Sequence, residues 1–109
     1  MKTIAQACLF ALSAAAAAAA NAQMSYADGA RLMAKYNCQS CHAMNQTLAG
    51  PSLIAIAKRY SSDPHAPAYL EAQVLNGSMG VWGSVPMAPV NVPDADLAAL
   101  IGWILQLAP

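Results

Sequence analysis

Cys38-Gln39-Ser40-Cys41-His42 is the stretch on which the reading of this chain turns. C-x-x-C-H is the attachment signature of haem c. Two thiols three positions apart on one helical turn can each add to a vinyl group of one porphyrin, giving two thioether bonds. His42 follows directly, so its imidazole is held beneath the ring and aimed at the iron. Covalent attachment through Cys38 and Cys41 and proximal ligation by His42 thus come from one short run of chain. A C-x-x-C pair also occurs as a redox dithiol or as half of a zinc site. The dithiol wants a βαβ setting, and no strand-rich pattern surrounds these residues. Zinc wants about four N or S ligands, and after export only His65 remains to join the three.

Downstream, Ala43 to Ala49 has no clear period and reads as a loop closed by Gly50-Pro51. A ligating imidazole commonly donates its other ring N–H to a carbonyl, and the Pro51 carbonyl is the candidate acceptor. The second informative stretch runs from Gly77 to Pro93. Its glycines and prolines exclude a regular helix or a central strand, yet it is rich in Val, Trp and Met. A stiff apolar loop of this kind suits a lid over one face of a haem. Met87, next to Pro86 and close to Pro89, is the expected distal thioether ligand, with Met79 as its main rival. Methionine also fills cores. His65, in a proline-flanked linker, is read as an exposed loop residue.

Helices frame these two stretches. Ser25 can cap one beginning at Tyr26, with Asp28 in its first turn and Tyr26, Ala30, Met33 and Asn37 on one face. It is expected to deliver Cys38 at its end, with Arg31 and Lys35 as a solvated stripe. Ser52 caps a second, carrying Leu53, Ile56, Ala57 and Tyr60. Pro67 suits the first turn of a third, which stops at Gly77 with Leu70 and Val74 inward. Asp94 is expected to cap the last helix, whose stripe is Leu97, Leu100, Ile101 and Ile104. Trp103 flanks that stripe, and the Ala30 face of the first helix is the expected neighbour.

Residues 1–22 read as a secretory signal peptide: Lys2, an apolar run from Ile4 to Ala20, and an Ala20-Asn21-Ala22 cleavage site. Cys8 would leave with it. A membrane anchor is the competing reading, but the run is short and alanine-rich for a spanning helix. The mature domain is then 23–109, in the periplasm and without a membrane span. It carries Arg31, Lys35, Lys58 and Arg59 against Asp28, Asp63, Glu71, Asp94 and Asp96, four minus five, a formal charge of −1. That balance offers no clustered basic surface for nucleic acid. A domain this small needs a staple, and a tethered, largely apolar haem would supply one.

Taken in order, Cys38-x-x-Cys41-His42, Gly50-Pro51, Asn76-Gly77, Gly80-x-Trp82-Gly83, Pro86-Met87 and the Trp103 helix resemble the small monohaem class I cytochromes c. The bacterial cytochrome c-551/c-552 type is the nearest match. The resemblance covers Tyr26 to Leu107. It implies an all-α fold of four to five helices, terminal helices crossed, around one His/Met-ligated haem c. It assigns Met87 as distal ligand and implies that the Trp82 indole N–H bonds a haem propionate. Two departures stand out. Gln73 occupies a place on the third helix where relatives often have a basic residue near the propionates. Val90, with Asn91 one further on, stands where some relatives have an asparagine bonded to the methionine sulfur.

These readings imply a one-electron carrier and not an enzyme. His/Met ligation in an apolar pocket favours the reduced iron, and axial ligands filled from both sides leave no place for oxygen or peroxide. Redox protein partners are expected to bind transiently through small contacts at an apolar rim, to a monomer. The alternatives are a haem c subunit of a larger oxidoreductase, a sensor or peroxidase in which Met87 dissociates, and the dithiol oxidoreductase.

Overall fold

The computed structural model describes residues 24–108, so the signal-peptide reading of 1–22, with Cys8, lies outside the described residues. Four α-helices follow one another: α1 Tyr26–Lys35, α2 Leu53–Tyr60, α3 Ala66–Asn76 and α4 Asp94–Leu105, with a single 3-10 turn at Cys38–Ser40. Among the described residues there is no strand, only isolated bridges pairing His42 with Thr47 and Ser78 with Met87. The all-α reading therefore stands.

Each start has a local cause. The Ser25 hydroxyl accepts from the Asp28 amide and the Ser52 hydroxyl from the Ala55 amide, both at 3.1 Å. Each satisfies a donor that the first turn would leave orphaned. α3 opens with Pro67 in its first turn and ends at Gly77, whose φ of +83° only glycine adopts freely. Asp94 does not cap α4. The cap position is Pro93, without a side-chain bond, and Asp94 and Asp96 lie in the first turn, where they complement the helix dipole.

α1 stops sooner than the sequence suggests. Tyr36 closes it by donating to the Leu32 carbonyl at 3.2 Å, and Asn37 donates to Ala34 at 3.1 Å. Asn37 then takes a left-handed conformation, φ +61°, which asparagine tolerates better than most residues. Asn37 thus ends the helix instead of joining its inner face. The turn bearing Cys38 is a separate piece aimed by this bend.

α4 packs against α1, α2 and α3 alike. One cluster joins Met33, Leu53, Leu100, Trp103 and Ile104; the other joins Val92, Leu97 and Ile101, with Leu70 and Val74 against it. α1 does meet α4, but through Gly29, while Ala30 is exposed. A Cβ on Gly29 would lie 2.1 Å from the Trp103 ring. The Trp103 indole fills the gap that a missing side chain leaves, and it is 7% exposed. Lys35 is not merely solvated either, since it lies 3.4 Å from Asp96 on α4.

Candidate haem site

Between α2, α3, α4 and the 77–93 loop lies a cavity of about 360 Å³. That is within the range of roughly 300–1,000 Å³ usual for small-molecule sites. Cys38, Cys41 and His42 line it from one segment; Ser78, Met79, Val81, Trp82, Val85 and Met87 line it from the loop. Leu53, Ile56, Leu70, Val74, Leu100, Ile101 and Ile104 supply most of the remaining apolar wall.

The 3-10 turn is closed by Cys41 donating to the Cys38 carbonyl at 3.2 Å, and His42 donates to the same carbonyl at 3.1 Å. Both thiols are free. Partial burial raises the Cys38 thiol above its ordinary pKa, which disfavours its thiolate. Among the described residues no group of three or more His, Cys, Asp or Glu is placed to hold a metal ion.

His42 is fixed from two sides. Its Nδ1 lies 2.8 Å from the Pro51 carbonyl oxygen. With the N–H on Nδ1, the ring donates to that carbonyl and keeps the Nε2 lone pair free. Gly50 backs the ring so closely that a Cβ there would sit 2.7 Å from Cε1. The loop behind is tied down by Gly50 donating to the Cys41 carbonyl and Leu53 to the Ala43 carbonyl, each at 2.9 Å. Gly50-Pro51 therefore does two jobs, one with a carbonyl and one with an absent side chain.

Met87 is held by its backbone. Its amide donates to the Ser78 carbonyl at 2.8 Å and its carbonyl accepts from the Ser78 amide at 3.0 Å. A second tie, Val90 N–H to the Val74 carbonyl at 2.8 Å, anchors the loop to α3. Met87 is partly buried, whereas its rival Met79 is 77% exposed although it also borders the cavity. Trp82 borders it as well, 41% exposed, with the Arg59 guanidinium 4.7 Å from its ring centre. Gln73 and Val90 reach the lining. Exposed Asn91 and His65 are not among the lining residues. The backbone amide of His65 bonds the Asp63 carboxylate at 2.8 Å at the start of α3.

Two wall residues escaped the sequence reading. Tyr36 lines the cavity and donates a short hydrogen bond to Asp96 on α4. Tyr69 lines it too, its ring centre 5.7 Å from that of Tyr60. A tyrosine just past a helix end carries no signal of its own, and the asparagine after it is the only hint of the bend. The wall suits haem: a mostly apolar slot, two thiols on one turn, an imidazole with a free nitrogen and a thioether.

The cytochrome c family matches residues 26–108 of the chain. Cytochrome c-552 of Nitrosomonas europaea is 47% identical over 79 residues, covering 72% of this chain and 77% of that protein. Cytochrome c-551 of Pseudomonas aeruginosa is 34% identical over 86 residues, covering 78% and 83%. The crystal structure of the wild-type Nitrosomonas europaea protein superposes with a TM-score of 0.68, covering 72% of this chain and 98% of that one. A class 1 cytochrome from Sideroxydans lithotrophicus shares the fold at 24% identity, with a TM-score of 0.61 over 72% of this chain and 91% of its own. The chain belongs to the cytochrome c family: it is a small class I monohaem electron-transfer protein, not an enzyme, with Cys38 and Cys41 at the positions of covalent haem c attachment.

Proposed function

We propose that the mature chain, residues 23–109 after removal of 1–22, is a diffusible periplasmic one-electron carrier whose haem iron is bound by His42 and Met87. The observation that carries this reading is the meeting, in one apolar cavity, of an imidazole pre-aimed by Pro51 and a methionine clamped by Ser78. Haem c, when bound, supplies a one-electron Fe(III)/Fe(II) couple. His42, donating to a carbonyl, is a good and rigidly oriented donor. The Met87 thioether is a weak donor to ferric iron, so its choice raises the potential.

The apolar cavity wall would offer few polar groups to a charged iron, which would further favour the reduced state. Trp82 has an indole N–H at the rim that can serve a propionate. Among the described residues no helix is long and apolar enough to cross a membrane. Met79, Val85 and Trp82, 77%, 60% and 41% exposed, form an apolar rim on the loop. Such a rim suits brief docking of redox proteins, where contacts are small and turnover is fast.

The test is expression with a haem-attachment system, followed by spectroscopy and size exclusion. The holoprotein is expected as a monomer whose sulfur-to-iron charge-transfer band persists at neutral pH. Met87→Ala should keep the covalent haem, lose that band and lower the midpoint potential. An unchanged potential would reject Met87 as ligand, and constant co-elution with larger subunits of the native extract would reject the free carrier.

A further inference from the structure

The described chain has four Lys and Arg side chains, Arg31, Lys35, Lys58 and Arg59. Arg31 pairs with Asp28 at 2.9 Å and Lys35 with Asp96 at 3.4 Å. Among the described residues, Lys58 and Arg59 have no carboxylate within ion-pair distance. Lys35, already paired with Asp96, lies 5.3 Å from the ring centre of Tyr36 in the cavity wall; Arg59, without such a pair, touches the wall at the loop. Its Nη1 donates to the Val81 carbonyl at 3.4 Å, and its guanidinium lies 4.7 Å from the Trp82 ring centre and 5.4 Å from that of Tyr60. Val81, Trp82 and Tyr60 all line the cavity, and among the described residues no Asp, Glu, Lys or Arg does.

Haem brings two propionate carboxylates, so a wall without a fixed charge has an electrostatic problem. A carboxylate drawn partly out of water requires a cation or strong hydrogen bonds. Gln73 lines the cavity but carries no charge. We propose that Arg59 supplies the charge that balances the cofactor's carboxylates, which places the propionate edge at the corner formed by Arg59, Trp82 and Tyr60. The position over Trp82 suits this role, because a guanidinium held at 4.7 Å by an aromatic ring still has N–H groups to offer a carboxylate. Tyr60 and Trp82, ring centres 6.4 Å apart, form the aromatic sides of the same corner. Among the described residues Arg59 has no acidic partner to neutralise it, so its field would act on a bound haem.

This inference rests on the haem reading, and its test separates the two. Holoprotein carrying Arg59→Gln, Arg59→Lys or Lys58→Gln is compared with the parent by redox titration at neutral pH, in low and in high salt. Removing a cation near the iron favours the oxidised, more positive state. Arg59→Gln is therefore expected to lower the midpoint potential, by less as salt is raised. Arg59→Lys should restore most of the difference, and Lys58→Gln should leave the potential near that of the parent. An unshifted Arg59→Gln overturns the proposal. So does an Arg59→Lys that falls as far, since Arg59 would then act only by propping the loop, or a Lys58→Gln that matches Arg59→Gln. A colourless parent protein would overturn the haem reading itself.

Discussion

Ser78 and Met87 hold each other by a reciprocal pair of backbone hydrogen bonds, 2.8 and 3.0 Å long, across the turn of the cavity loop. Gly77 makes this pairing possible. Its φ is +83°, and a Cβ there would lie 2.8 Å from the Met87 carbonyl oxygen. Gly77→Ala is expected to destabilise the fold by about 1–3 kcal/mol, the usual cost of backbone strain at a non-glycine residue. It should also loosen Met87. Denaturation measures the first effect, and weakening of the sulfur-to-iron band at neutral pH measures the second. A variant with full stability and a full band would show that the loop adapts without strain.

Gly50 and Pro51 act on His42 by different routes, so their variants should differ. Pro51→Ala keeps the carbonyl that His42 faces. It should cost about 0.4–1 kcal/mol of stability through the freer unfolded chain, with the potential nearly unchanged. Gly50→Ala puts a methyl 2.7 Å from the ring, which tilts the imidazole off the Pro51 carbonyl. A less electron-rich imidazole favours ferric iron less, so the midpoint potential should rise. Equal potentials in the two variants would contradict this division of labour.

Gly29 and Trp103 set the approach of the first and last helices. Gly29→Val adds atoms into a space where even Cβ would lie 2.1 Å from the indole. Trp103 is buried and has nowhere to move. Overpacking of this kind costs about 1–3 kcal/mol. Trp103→Ala, which instead opens a cavity, should cost about 3–5 kcal/mol. Chemical denaturation of the holoprotein gives both values, and a stabilised Gly29→Val would refute the contact.

Tyr36 and Asp96 couple stability to pH. The Tyr36 hydroxyl, more than the nearby Lys35 ammonium, holds the Asp96 carboxyl below its ordinary pKa of 3.8. A carboxyl lowered on folding stabilises the protein above its unfolded pKa, and the gain is lost as pH falls through the folded one. Tyr36 is raised above its ordinary value of 10.0, chiefly by its bond to Asp96. Its contribution is present below that value and fades as pH rises through the folded pKa. Tyr36→Phe should therefore lower the denaturation midpoint at neutral pH, with the gap to the parent closing in strong acid and in strong alkali. A gap independent of pH would point to packing alone.

Most of the fold, and the residues that meet at the candidate haem site, could be read from residue order, because both rest on short-range rules. Ser25 and Ser52 cap helices, Gly77 ends one, and Cys38, Cys41 and His42 sit in one turn whatever the rest of the chain does. The misreadings share a cause. A helical face is set by what packs on it, and Ala30 and Gly29 differ by only one position; the distant Trp103 selects Gly29. Asp94 looked like a cap because aspartate often is one, but Pro93 already occupies that position. Tyr36 meets Asp96 across 60 positions and Arg59 meets the Val81 carbonyl across 22. No local pattern announces such pairs.

α4, the last of the described helices, is the surface on which each of the other three rests. A growing chain that has not yet reached Asp94 has no partner for Met33, Leu53 or Leu70 and cannot bury a core. Its early helices, each short, are marginal when alone. Nascent protein should therefore remain pliable until α4 is available, with Cys38 and Cys41 still accessible. Closure by α4 is then expected to complete the fold.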